Sequence, residues 1–487
     1  MKKLLKGLLL TACFVGTAGA ATNKTFLLPR SHGVNKAMEY TTWNELINMD
    51  KEDRFGANFQ LIGFYQGSTN DATRGKYFGV NDKSSFAFNT TAPTASTDVY
   101  SLLVMHHLNN TTDAATLNVK AEQQAAGAKI FYYQDLEKLI KGLYLKANLP
   151  IVWVSNDVKF SSGSLTGFNT ADISNYFKGN FNGFDTTHNY QLALTKAKIN
   201  GSQSKAGVAD IDIVLGYKFL DKADYHMSIN LGFTIPTGTK ANGNYLWEPI
   251  IGNGQHWAFG GGLDFGATLW EKNDQNIKFE LALDYRYVFQ NSETRALNFK
   301  SGTISNHWNN NWSHYHLVGK AGEFAQPAAN ITTLRVNVEP GSQLDGIAAF
   351  RYNNGGFNIE LGYNLFWKDT ESVKSKDTLA ADYGIIYPTA DLDNAVIVDG
   401  AGIWFQADGT ANTTDFATNA KELANSDLDF KGAASESQLT NKIYGGLGYI
   451  FRNWEYPMLL GLAGHYEFAS RSGVENWGIW GKIGVGF

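Results

Sequence analysis

Apolar and polar residues alternate along positions 277–290 of the chain. The odd-numbered positions are apolar or aromatic throughout, and the even-numbered positions carry four charges, at Lys278, Glu280, Asp284 and Arg286. Successive side chains of a β-strand point to opposite faces, so the pattern predicts a strand with one apolar and one charged face. Positions 256–270 repeat the pattern, and the polar residues 271–276 predict a turn between the two. The region therefore predicts an antiparallel hairpin.

The same alternation recurs along the chain and predicts twelve strands in all. Their predicted positions are 57–66, 126–134, 142–156, 206–220, 225–235, 256–270, 277–290, 334–352, 357–368, 441–452, 457–470 and 476–487. Before the first strand, residues 35–49 show loosely helical spacing of Trp43, Leu46 and Ile47, which predicts a short helix.

The connections between the predicted strands differ in length in a regular way. Five short connections alternate with long ones, and a sixth outer connection, 471–475, is the short exception. An even number of strands, short turns at one end and long loops at the other are typical of a barrel in an outer membrane. We therefore expect an all-β fold, a transmembrane antiparallel β-barrel of about 12 strands with short periplasmic turns and long extracellular loops. Both chain ends would then be periplasmic; a secreted β-sandwich is the alternative.

The first twenty residues resemble a secretory signal peptide. Three lysines precede an apolar core at 8–15, and Ala18-Gly-Ala20 forms a cleavage box. A lipoprotein box ending at Cys13 is the alternative. Beyond this segment, no apolar run reaches the ~18 residues that a spanning helix needs. Export without a spanning helix fits a barrel.

Charge and cysteine content exclude several classes of protein. Removal of residues 1–20 takes away three of the 41 basic residues and leaves 38 against 46 acidic ones. This mildly acidic balance without basic clusters argues against nucleic-acid binding. Removal of residues 1–20 also takes away the only cysteine, so disulfides are excluded. We expect no cofactor and no metal.

The last strand, 477–487, alternates and ends on Phe487. It resembles the C-terminal strand that bacterial outer-membrane β-barrel (porin-like) proteins present to the barrel-assembly machinery, although Lys482 stands where that signal usually has glycine. The resemblance covers residues 57–487. It implies localisation in a Gram-negative outer membrane, with outer-membrane lipid and the assembly machinery as partners. The expected domains are a signal peptide at 1–20, a periplasmic N-terminal segment or lumen plug at 21–56, and the barrel at 57–487.

The face opposite the apolar one predicts the lining of the lumen. Its charged and histidine positions are Lys146, Asp210, Asp212, Lys218, Asp264, Lys278, Glu280, Asp284, Arg286, Glu360, Lys442, His465, Glu467 and Lys482. A hydrated pore tolerates such charges, but so does an interior in which they pair and fill the space. Neither sign dominates, so no ion preference follows.

These features predict a porin-like channel for passive diffusion of small polar solutes. A surface-exposed structural or adhesin-type barrel is the alternative. A hydrolase is a weaker one, because no serine is in phase with the neighbouring His465 and Glu467. We expect no enzyme activity and no catalytic residues.

Glycines are concentrated on the inward face of four predicted strands, at Gly260, Gly262, Gly266, Gly446, Gly448, Gly461, Gly478, Gly484 and Gly486. Such a bare wall relieves crowding where a sheet bends, or accepts another packed segment. The candidates for that segment are the N-terminal stretch 21–56, which we favour, and the loop 369–440.

Overall fold

The computed structural model describes part of the chain. It covers residues 24–33, 35–42, 56–89, 99–100, 104, 114–166, 170–180, 184–185, 188–189, 192–222, 224–301, 303, 312–320, 323, 325–385, 387–388, 396–397, 404–405, 411–412 and 422–487. The predicted signal peptide and Trp43, Leu46 and Ile47 lie outside the described residues. No helix among the described residues is long and apolar enough to cross a membrane.

Twelve antiparallel strands of the described chain close into one barrel, as the alternation predicts. They are β1 Ala57–Ser68, β2 Ala114–Asp135, β3 Leu143–Thr166, β4 in the two segments Gly201–Val208 and Ile211–Asp221, β5 Tyr225–Ile235, β6 Ala258–Lys272, β7 Gln275–Val288, β8 Gly341–Asn354, β9 Phe357–Lys368, β10 Gln438–Phe451, β11 Met458–Arg471 and β12 Asn476–Gly486. Pairing of β1 with β12 in the register Phe59↔Val485 closes the barrel. Closure leaves these strands without a free edge.

Smaller elements lie in the connections and in the N-terminal segment. The helices are α1 Lys36–Tyr40, α2 Asp71–Phe78, α3 Thr170–Lys178 and α4 Ala329–Thr332, with 3₁₀ turns at Ser313–Tyr315 and Asn425–Asp427. Short strands occur at Ser85–Asn89, Val99–Tyr100, Phe184–Asp185, His188–Asn189, Asn291–Arg295, Asn298–Phe299, Leu317–Gly319, Gln326–Pro327, Leu334–Glu339, Ser372–Ser375, Gly384–Ile385, Tyr387–Pro388, Val396–Ile397, Trp404–Phe405, Ala411–Asn412 and Leu428–Asp429.

The predicted strand at 334–352 is wrong in its first part. Residues Leu334–Glu339 pair with Asn291–Arg295 and Ser372–Ser375 in a separate sheet, and β8 begins at Gly341. Pro340 lacks a backbone N–H, and Gly341 has a φ of +76°. These two residues therefore separate the loop sheet from the barrel.

The outward face of the barrel is apolar where the inward face is polar. Leu361 is 62% exposed, whereas its chain neighbour Glu360 is 1% exposed. Exposed aromatic side chains stand towards the loop end of the barrel at Trp257, Tyr285, Phe289, Tyr466 and Trp477, and towards the turn end at Phe219, Tyr225, Phe357, Tyr449 and Phe487. An exposed apolar band between two aromatic girdles is the surface of a membrane-spanning barrel.

The long connections pack into a cap at the loop end. Trp312 is 1% exposed and lies with its ring centroid 4.8 Å from Phe86, 5.5 Å from Phe177 and 5.3 Å from Tyr315. These residues come from three different connections, and Trp247 of a fourth belongs to the same buried cluster. The cap therefore has a hydrophobic core of its own.

The N-terminal segment, residues 24–42, passes through the barrel. At the loop end, the Thr25 amide donates to the Gly432 carbonyl over 3.2 Å and the Thr25 hydroxyl to the Ala296 carbonyl over 2.6 Å. At the turn end, β1 begins at Ala57, whose amide donates to the Phe487 carbonyl over 2.6 Å. The expectation that both chain ends are on the turn side is thus wrong for the described residues. The chain before β1 approaches the cap because its polar groups find partners along the inner wall.

Candidate solute path in the barrel lumen

The charged positions predicted to line the lumen lie on the face opposite the exposed apolar side chains. Thirteen of the fourteen residues are within barrel strands, and Asp210 lies where β4 is interrupted. There the Asp210 carboxylate accepts the amides of Asn253 over 2.6 Å and Gly238 over 3.3 Å. Whether these side chains contact a solute stays a prediction.

Asp264 on β6 is a hub of hydrogen bonds between the wall and α1. Its carboxylate accepts the Tyr40 hydroxyl and lies 3.7 Å from the Lys146 ammonium. Tyr144 and Ser228 also donate their hydroxyls to it, each over 3.2 Å. A buried carboxylate is tolerated when it is paired and hydrogen-bonded in this way.

Helix α1 carries charges that pair with the wall on two sides. The Lys36 ammonium forms an ion pair with Asp284 and lies 3.5 Å from Glu39. Glu39 is 3.1 Å from the ammonium of Lys129, a side chain with 0% exposure. On the other side of Asp284, Arg286 lies 3.8 Å away. Charges of both signs thus alternate across the junction between helix and wall.

The backbone at the end of α1 is bound by one cation of β12 and one of β8. The Lys482 ammonium donates to the Glu39 carbonyl over 2.9 Å and to the Thr41 carbonyl over 2.7 Å. Arg351 donates to the Tyr40 carbonyl over 3.0 Å and pairs with Glu360 at 2.7 Å. The last carbonyls of a helix lack partners within the helix, so these donors stabilise its end.

A second set of ion pairs holds the segment nearer the cap. The Arg30 guanidinium lies 2.8 Å from Asp345 and 3.6 Å from Glu467. Lys442 lies 3.1 Å from Glu467 as well. Residues 29–31 thus cross the lumen between β8 and β11.

The remaining predicted lumen residues make local contacts. Lys218 lies 3.3 Å from Asp221, and Glu280 lies 3.9 Å from His226. Asp212 lies 3.3 Å from Arg286, and Lys278 is in register with Arg351 across β7 and β8.

Three glycines of β10 and β11 face the N-terminal segment. A Cβ atom on Gly446 would lie 3.1 Å from Thr41 Cγ2, and one on Gly448 would lie 3.2 Å from Thr42 Cγ2. A Cβ on Gly461 would lie 3.6 Å from Thr42 Oγ1. A side chain at the first two positions would therefore crowd the segment.

The glycines of β6 have different neighbours. Cβ atoms on Gly262 and Gly266 would clash with Asp284 and His226 of the adjoining strands. The space in front of these two glycines is occupied by side chains of neighbouring strands.

Two cavities remain beside residues 29–31. The larger has a volume of about 880 Å³ and includes Asp210, Asp212, Asp284, Arg286 and Lys368 in its lining. The smaller has a volume of about 400 Å³ and includes Gln66, Gln123, Gln438 and Asn476. The charges of the wall pair extensively, as expected for an interior filled by paired charges. Polar space nevertheless remains next to them, as expected for a hydrated pore.

The histidine considered for catalysis is held by a structural partner. His465 Nε2 lies 2.7 Å from Asn476 Oδ1, while Glu467 is bound by Lys442 and Thr440. In the part of the chain that the structure describes, no hydrogen bond joins His465 to Glu467.

His256 is a loop anchor in the cap. Its ring nitrogens lie 2.7 Å from the Phe289 carbonyl and 2.9 Å from Glu293. Burial favours a raised pKa for Glu293, but the Arg295 charge and the His256 hydrogen bond outweigh it and lower the pKa below its ordinary value. The Arg295 guanidinium also lies 3.5 Å from the centroid of the Phe26 ring. This cluster ties the N-terminal segment to the cap.

Sequence reasoning missed several residues of this network. Arg30, Lys36 and Glu39 precede the first strand, where no periodic pattern marks a facing surface. Lys129 and Asp345 lie on strands, and the alternation of β2 contained the signal for Lys129. No group of three or more His, Cys, Asp or Glu side chains in the described ranges is placed to hold a metal ion.

Comparison with known proteins gives distant likenesses only. No family model and no curated protein matches the chain. Among solved structures, an outer membrane channel from Pseudomonas putida F1 is 12% identical with a TM-score of 0.38, over 90% of this chain and 100% of that one. The translocator domain of the autotransporter NalP from Neisseria meningitidis is 8% identical with a TM-score of 0.31, over 93% and 92%. A Pseudomonas aeruginosa FadL homologue is 8% identical with a TM-score of 0.28, over 89% and 90%.

Likenesses of this size carry no argument about function. The chain's own features establish its fold: an even number of antiparallel strands, closure of β1 on β12, short turns opposite long loops, and an exposed apolar band. The protein is a twelve-stranded antiparallel β-barrel of the bacterial outer-membrane type.

Proposed function

We propose that this protein is an outer-membrane channel for passive diffusion of small polar solutes, with residues 24–42 as a displaceable plug. The observation that carries the proposal is the larger cavity, which lies inside the barrel and is lined by carboxylates and cations of both the plug and the wall. An interior of this polarity suits hydrophilic solutes, in contrast to the apolar outer surface.

The plug is held by polar and by apolar contacts. Arg30, Lys36 and Glu39 pair with the wall, and Lys482 and Arg351 bind its backbone. Met38 belongs to a buried apolar cluster that includes side chains of the wall. Water can replace the polar contacts one at a time. We therefore propose that the plug moves aside while the barrel stays closed.

The proposed setting is the outer membrane of a Gram-negative bacterium, reached by export with a cleaved signal peptide. The short turns would face the periplasm and the cap the exterior. The strand ending at Phe487 would be recognised by the barrel-assembly machinery. We propose no enzymatic activity.

Solute uptake into proteoliposomes tests the proposal. Deletion of residues 24–42 should increase the uptake of a small polar solute over that of the full chain, since both cavities then join. A large oligosaccharide that stays outside both kinds of vesicle controls for leakage. The Arg335→Ala variant is the matched control, because Arg335 pairs with Asp377 on the exposed cap surface.

One observation favours a second function, which is surface display. The cap has a packed aromatic core around Trp312, and display on a structural barrel would use such a rigid cap. Folded barrels that stay impermeable after deletion of residues 24–42 would support display and contradict the channel.

A further inference from the structure

The smaller cavity is built largely from uncharged polar side chains. They include Asn35, Gln66, Gln123, Gln438, Thr440 and Asn476. Amides and hydroxyls both donate and accept hydrogen bonds. The cavity therefore offers donors and acceptors together.

The charged groups around this cavity compensate one another. Lys442 lies 3.1 Å from Glu467, and Arg30 lies 2.8 Å from Asp345. Each cation thus has an anionic partner at contact distance. Asp345 lines the larger cavity and not this one, but its contact neutralises Arg30, so both cations of the lining are already paired and the cavity is not built to attract an ion.

Gln438 supplies an acceptor that the protein does not use. The side chain is 1% exposed, and its Nε2 donates to the Leu28 carbonyl over 2.9 Å. Its Oε1 accepts no hydrogen bond from any residue of the described chain. A buried acceptor without a donor costs free energy, and a donor arriving in the cavity would satisfy it.

We propose that this cavity binds a small uncharged polyol. This binding would give the channel proposed above a substrate class. Only the transport of the polyol, not its binding, rests on the proposed function. Each hydroxyl of a polyol donates and accepts once, which matches the amides of the wall. No Phe, Tyr or Trp is among the described lining residues, so the site lacks the flat ring on which a cyclic sugar stacks. An acyclic polyol fits this chemistry best.

Gln438 and Gln343 form a matched pair for a test. They flank Lys368 on the two strands that neighbour it, so they lie at the same height of the barrel. Gln438 lines the smaller cavity and Gln343 the larger one. Gln438→Met and Gln343→Met remove the same amide at similar side-chain length on opposite sides of residues 29–31.

The experiment is calorimetric titration of the detergent-solubilised full chain with mannitol. Mannitol should bind the wild type, and Gln438→Met should weaken its affinity about tenfold, the loss expected for one hydrogen bond. Gln343→Met should leave the affinity unchanged. If Gln438→Met does not fold, judged by heat-modifiable electrophoresis, Gln66→Met in the same cavity takes its place.

Three results would overturn the site. They are no binding of mannitol to the wild type, equal losses in the variants of the two cavities, and tighter binding of anionic gluconate than of mannitol. Equilibrium binding in detergent requires no transport. Normal uptake without mannitol binding would therefore contradict only the proposed binding site. Mannitol binding without uptake would contradict only the proposed channel function.

Discussion

Arg30 Nη2 donates to Asp345 Oδ2 over 2.8 Å, joining residues that are 315 positions apart in the chain. Arg30 belongs to the segment before the first strand, and Asp345 to the inward face of β8. Both side chains are nearly buried, at 9% and 5% exposure. The contact is therefore one of the bonds by which the barrel wall holds residues 24–42 in its lumen.

Loss of this ion pair should loosen the plug. Arg30→Ala leaves Asp345 buried without its cation, and breaking a buried pair on one side costs about 3–5 kcal/mol. We expect more frequent channel openings in planar bilayers, with unchanged barrel mobility on unheated gels. Arg335→Ala, which breaks an exposed pair on the cap, is the control and should match the wild type. Equal opening frequencies in all three proteins would mean that Arg30 does not hold the plug.

Charge on the outward face should destabilise the barrel. Leu361 is exposed on the lipid side of β9, and lysine there should cost about 2–4 kcal/mol of unfolding free energy near the midplane. Urea unfolding in lipid vesicles measures the change.

The lumenal control for this substitution follows from the structure. Sequence alone suggests Glu360 as a position that tolerates lysine, but Glu360 pairs with Arg351 at 2.7 Å, so a cation there meets a cation. Gln343 lines the larger cavity and lies in register between Arg286 and Lys368, so an acidic residue there meets two cations. Gln343→Glu should cost far less than Leu361→Lys, and equal costs would contradict the assignment of the two faces.

The cap should loosen in acid because of His314. Burial, assisted by the nearby His316, lowers the pKa of His314 from 6.5 to about 3. Between these values the unfolded cap binds a proton that the folded cap does not. Its contribution to stability is therefore complete above pH 6.5 and is lost as the pH falls towards 3.

Hydrogen exchange of residues 312–319 at pH 7.5 and pH 4.5, corrected for intrinsic rates, measures this effect. The wild type should lose protection at the lower pH. His314→Gln, which retains a donor for Asn298, should lose less. Identical pH responses of the two proteins would assign the loosening to other groups.

Side-chain direction within a strand follows from geometry, and for this reason it could be predicted. The period of two places Lys146, Glu360 and Lys482 inward whatever their partners are. Closure of the barrel followed from the alternation of short and long connections. The first follows from the local sequence, and the second from the number and lengths of the connections.

Contacts between distant segments leave no periodic signal. The spacing of residues 24–42 does not predict that Lys36 pairs with Asp284 or that Thr42 lies against Gly461. The extension of β2 back to Ala114 was missed for another reason. Residues 115–122 do alternate, but there the apolar Leu117 and Val119 are on the inward face and pack into the cap, the reverse of the pattern in the membrane-spanning part.

We propose that residues 24–42 block the solute path and can leave it. A reversible tether tests this proposal. A Cβ on Gly461 lies 3.6 Å from Thr42 Oγ1, close to the spacing that a disulfide needs, and the chain's only natural cysteine is in the predicted signal peptide. Single-channel conductance of Thr42→Cys/Gly461→Cys is recorded before and after addition of a reductant, with the two single variants as controls. We expect a closed channel when the disulfide is oxidised and recurrent openings when it is reduced. Conductance that is the same in both states, in protein shown to carry the disulfide, would contradict it.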